Sequence, residues 1–193
     1  MEADLAMQPL SHVSPGALTT WGDQHHMGTR PNVAIKIAEC IAEWAEIETF
    51  LGQLLGLILH TSPNAALIMF SSLENRSAQL RMVTAAAESE LDQEKKDLFA
   101  IMMMLFLRPS MKERDRLAHW CWGSTDALPE ALLLASPAKK MVLQFQYNQG
   151  KFSKETSPLP DRDIYVVTTT DLTRMADRFR IAKYHLLLFM GAI

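Results

Sequence analysis

The 193-residue chain carries 19 Lys or Arg against 22 Asp or Glu, a formal charge of -3, with 48% hydrophobic and 21% charged residues. This composition excludes a largely disordered chain and provides no global attraction to a polyanion, so any nucleic-acid site has to be local. Cys40 and Cys121 are too few for a disulfide scaffold and match no zinc spacing, which predicts two free thiols in a reducing compartment.

Residues 1–30 hold no apolar run of signal-peptide length and are rich in Pro, Gly, Ser, Thr and His. They read as a flexible tail, His25-His26 included, and the chain as cytoplasmic. A single domain is expected over 31–193. Thr49 to Leu73 lacks any charge, but His60-Thr61-Ser62-Pro63-Asn64 would leave polar groups without partners mid-bilayer. Two buried helices and a turn fit better than a membrane span.

Ile37, Ile41, Trp44, Leu51, Leu55 and Ile58 recur at steps of three and four around position 48, which predicts a bundle helix from Asn32 to His60. Position 48 is a glutamate. Ser62 then caps a second helix with Pro63 at its first position, broken around Ser71 to Asn75, with Leu73, Leu80, Val83 and Ala87 facing inward. A third helix spans Gln93 to Leu107. Pro109 is expected to end it, and the capping-box spacing of Ser110 and Glu113 to start a short helix that stops at Gly123.

Beyond Gly123 the runs 131–135, 141–147 and 164–168 are short and β-branched or alternating, so 124–168 reads as a strand-rich insertion. Thr170 is the expected cap of a last helix that buries Leu172, Met175, Phe179, Ala182, Leu186 and Phe189. No phosphate loop, G-x-S-x-G, C-x-x-C or H-E-x-x-H occurs, so no cofactor and no metal is expected.

Arg108 to Arg116 places four cations against two anions, and His119, Trp120 and Trp122 follow at once. Those residue types suit RNA: imidazole moves a proton at the ribose hydroxyl, guanidinium holds the phosphate and indole stacks on a base. Asp115 and His119, four apart on a helix, share a face, so the carboxylate is expected to orient the imidazole. Arg114 and His119, five apart, diverge by about 140° on an ideal helix. One chain therefore reads as an incomplete site unless the helix distorts or a second copy contributes.

The run Arg114-Asp115-Arg116-Leu117-Ala118-His119 resembles the Arg-polar-…-His motif of HEPN (higher eukaryotes and prokaryotes nucleotide-binding) domains. The resemblance implies a mainly α fold, an antiparallel helix bundle, here with a strand-rich insertion before the C-terminal helix. It further implies a homodimer with one composite, metal-independent ribonuclease site, Arg114 and His119 as the catalytic pair and Asp115 as the polar residue. RNA as substrate, an antitoxin or other protein partner and a toxin or phage-defence role come with it. The alternative is a non-catalytic module that binds RNA, nucleotide or protein. Arg180 to His185 repeats the spacing without the polar residue and reads as coincidence.

Glu48 is expected to pair with Arg114 or Arg116 and position the motif helix, or else to lie at a solvated edge. Arg116 is a supporting cation. Trp120 and Trp122 are read first as packing residues and second as base platforms.

Overall fold

The computed structural model describes residues 7–21, 24–148 and 163–193. The protein is mainly helical with a small antiparallel five-stranded sheet, and its residues fall into two compact units, 1–41 with 113–176 and 42–112 with 177–193. The unit boundaries fall inside three helices: α3 (Pro31–Ile58), α7 (Arg108–His119) and α9 (Thr169–Ala192).

The first unit holds the sheet, ordered β1-β5-β4-β3-β2. Its strands are β1 (Gln8–Pro9), β2 (Thr20–Trp21), β3 (Cys121–Ser124), β4 (Leu132–Ala135) and β5 (Tyr165–Val167). β4 is buried on both faces, as suits its central place. Leu133 and Ala135 pack with Leu10, Ile164 and Val166 into an apolar cluster. Pro9, which cannot donate to a ladder, sits on an edge strand.

Residues 7–21 and 24–28, read from sequence as tail, are thus part of the sheet and of the short helices α1 (Leu10–Val13) and α2 (Gln24–Gly28). Pairing with distant strands leaves no local periodicity, which is why composition misled. His26, expected to be solvated, places Nδ1 2.7 Å from Ser124 Oγ, and Thr20 Oγ1 lies 3.0 Å from the same hydroxyl.

Two of the expected strands form, but 141–147 belongs to α8 (Pro137–Asn148). Ser136 accepts from the Lys139 N–H and Pro137 takes the first helical position, so start chemistry decided where alternation was ambiguous. Residues 149–162 of the expected insertion lie outside the described residues. α9 starts at a capping box two residues earlier than expected: Thr168 Oγ1 donates to Asp171 Oδ2 at 2.6 Å and accepts the Asp171 N–H at 3.2 Å. Its six predicted inward residues are all buried.

The second unit is helical: residues 42–58 of α3, α4 (Pro63–Ser71), α5 (Arg76–Glu90), α6 (Gln93–Met102), a π-helical turn (Met103–Leu107), the start of α7 and the end of α9. Ser62 caps α4 as its sequence position implies, and Asn75, where the break was expected to end, caps α5. α3 closes with the Thr61 N–H on the Gly56 carbonyl at 3.0 Å, His60 adopting the left-handed conformation. Trp44 meets Phe179 edge to face at 5.7 Å, and Phe99 lies 5.8 Å from Phe189. Glu43, read from sequence as a surface charge, is instead held by Arg180 Nε at 2.8 Å and Lys183 Nζ at 2.7 Å. Lys183 also reaches Glu46 at 2.7 Å.

α7 is not a separate helix after Pro109. The α6, π and α7 segments follow without interruption, and Pro109 lies inside the first turn of α7. Gly123 likewise caps no helix, because α7 stops at His119. It lies in β3 against β2, where an added Cβ would sit 2.7 Å from both the Thr20 carbonyl oxygen and the Trp21 ring.

Gly123→Ala should therefore cost about 1–3 kcal/mol in urea unfolding, since backbone and an indole would both have to give way. A pH series checks the Glu43 cluster. Burial pushes the Glu43 carboxyl up, but hydrogen bonds from Lys183 and Arg180 outweigh it and hold the pKa below its ordinary value. A depressed carboxylate adds stability above its unfolded pKa and loses it as pH falls through the folded one. Glu43→Gln should be less stable than wild type at pH 7, and the gap should close as pH falls below about 4.3.

Candidate functional site

The motif lies on the last turns of α7 and the turn into β3. Ser110, Glu113 and Leu117 face inward at helical spacing and are 4%, 4% and 3% exposed. Glu113 is thus an interior carboxylate, not the cap that its distance from Ser110 suggested. The Trp120 N–H still bonds the Arg116 carbonyl at 3.0 Å before the chain turns into β3, where Cys-Trp-Gly-Ser favours strand.

Arg114 and His119 do converge within one chain, which corrects the expectation from ideal helix angles. Arg114 Nη1 lies 3.4 Å from His119 Nε2. A guanidinium has no acceptor atom, so in this contact the imidazole nitrogen accepts, and a neutral ring then carries its proton on Nδ1. His119 is exposed while the Arg114 side chain is largely covered. The long arginine reaches along the helix to its end, which a count of angles between Cα positions does not capture. Asp115, expected to orient the imidazole, places Oδ1 3.4 Å from Arg114 Nη1 and so acts on the guanidinium.

Arg116 lies over two rings, 5.1 Å from the Trp120 centroid and 6.0 Å from that of Tyr165, while the two rings sit 5.8 Å apart. The Trp120 face is therefore occupied by a cation. Arg116 Nη1 is buried without a hydrogen-bond partner among the described residues. Trp122 is half-buried in β3, paired with Leu134 of β4. Tyr165 was not singled out from sequence, because only strand pairing brings it to the end of α7.

Glu48 has other partners than those expected. Its Oε1 accepts from Trp44 Nε1 at 2.6 Å and from Arg76 Nε at 2.8 Å, so it holds α3 to the start of α5 and not to Arg114 or Arg116. The second Arg-His spacing is absorbed by packing: Arg180 bonds Glu43 and Asp177, and His185 stacks on Phe106 at 3.9 Å. Both cysteines are free, and burial together with the charges of Glu39 and Glu113 pushes the Cys40 thiol up to about 12. Cys40 is therefore an unreactive core group at neutral pH.

Among the described residues no group of three or more His, Cys, Asp or Glu side chains is placed to hold a metal ion. No helix among them is long and apolar enough to cross a membrane. Comparison with family models, curated proteins and solved structures finds no match to this chain.

Glu48→Ala should cost about 1–3 kcal/mol in denaturant unfolding, because it removes the acceptor shared by a buried indole N–H and a guanidinium. A solvated edge residue would change stability by less than about 0.5 kcal/mol.

Proposed function

We propose that this protein is a HEPN-like, metal-independent endoribonuclease that acts as a homodimer, in the manner of a toxin or phage-defence effector. The observation that carries the reading is the approach of Arg114 Nη1 to the exposed His119 Nε2 at the end of α7. When the substrate phosphate draws Arg114 off His119 Nε2, that nitrogen takes the proton from a ribose 2′-hydroxyl. The freed oxygen attacks the adjacent phosphorus, the 5′-oxygen leaves with its electron pair, and a 2′,3′-cyclic phosphate remains. Arg114 neutralises the charge that builds on the non-bridging oxygens. The departing oxygen needs a proton as well, so the reaction calls for an acid beside the base. A second copy of the chain supplies that second imidazole, which is the chemical argument for the dimer.

A second reading draws on the Asp115 carboxylate beside Arg114 and on the net charge of -3. Both oppose a phosphate at this guanidinium and favour a non-catalytic module that binds RNA, nucleotide or protein. Incubation of the purified protein with single-stranded RNA in EDTA separates the two. The ribonuclease is expected to yield cyclic-phosphate ends, and Arg114→Ala and His119→Ala should each lower the rate by about 10²–10⁴-fold with unfolding curves unchanged. Binding without cleavage supports the module instead, and full activity in both variants rejects Arg114 and His119 as the cutting pair.

A further inference from the structure

The second unit carries an open groove of about 490 Å³ between α5 and the π-turn. Arg81 and Arg108 line it, with the Ser77 and Thr84 hydroxyls beside them and Leu80 and Met103 as an apolar floor. On α5, residues 77, 80, 81 and 84 share one face by helical spacing. Arg108 reaches the same groove because the π-turn redirects it. Its N–H bonds the Met103 carbonyl, five residues back. In an α-helix positions 103 and 108 would diverge by about 140°, whereas the wider turn sets them on one side.

The charge of this groove is uncommitted. Lys36, Arg76, Lys95, Lys139, Arg180 and Lys183 each pair with a carboxylate. Among the described residues Arg81 and Arg108 have no such partner; Lys96, Lys112 and Arg174, which do not line the groove, have none either. In an acidic chain, two guanidinium groups without a carboxylate partner beside two hydroxyl donors form a local anion site. Guanidinium and hydroxyl groups match the oxygens of a phosphodiester, and an apolar floor between them takes the face of a base.

We infer that this groove is a binding site for the backbone of single-stranded RNA, separate from the residues that would cut it. The inference rests on the reading of the protein as one that acts on RNA. Its test is chosen to be independent of cleavage.

Fluorescence anisotropy with a labelled 2′-O-methyl dodecanucleotide, which has no free 2′-hydroxyl to attack with, measures binding alone. The wild-type protein should bind it, and Arg81→Gln/Arg108→Gln should bind on the order of tenfold more weakly. Loss of two phosphate contacts should lower the slope of log affinity against log salt by about 1.4, at about 0.7 per contact for a single strand. The charge-preserving Arg81→Lys/Arg108→Lys should keep the wild-type slope. No binding by the wild type, an unchanged slope in the Gln variant, or equally strong competition by polyglutamate would overturn the inference. The ribonuclease reading fails separately: binding that depends on Arg81 and Arg108, with no cleavage of the unmodified oligonucleotide by the wild type, upholds the groove and rejects the cutting site. Cleavage of a dinucleotide that is equal in wild type and Gln variant upholds both.

Discussion

A proline carried inside a continuous helix follows closely on a π-helical turn. Pro109 has no N–H for the carbonyl of Leu105, and its ring crowds that carbonyl. The turn from Met103 to Leu107 is π-helical, with the Arg108 N–H reaching back five residues. Arg108 thereby joins the side of Met103, and both line the groove beside α5. A regular α-helix through 103–108 would set Arg108 and Met103 on different faces.

Charge is distributed by the same economy. Glu43 and Glu48, both on the first long helix, are each consumed by cations of the second unit, Arg180 and Lys183 for one and Arg76 for the other. Arg116 is engaged by the rings of Trp120 and Tyr165. Among the cations left without a carboxylate partner are Arg81 and Arg108, which share one groove. A net charge of -3 is thus compatible with contact to a polyanion, provided that the contact is local.

Most helices were legible because their signals are local. The stripe around Glu48, the caps at Ser62 and Asn75 and the six inward residues of α9 each depend on neighbours within a few positions. The misses depend on distant chain. β1 and β2 exist only because β5 and β3 offer them edges, and Gly123 is small because β2 lies against it, not because a helix ends there. Ser110 and Glu113 matched a capping box by spacing, yet an uninterrupted helix had no terminus to cap.

The sequence by itself determined that the chain is mainly helical, where most helices begin, and that its cations and His119 gather in one segment. Composition, period and cap chemistry are properties of neighbouring residues. Only the tertiary structure decided that Arg114 meets His119 within one chain, that Glu48 serves Trp44 and Arg76, and that Tyr165 stands beside Trp120. The reach of a long side chain, the choice among several cations for one carboxylate, and the pairing of strands more than a hundred residues apart are set by three-dimensional packing.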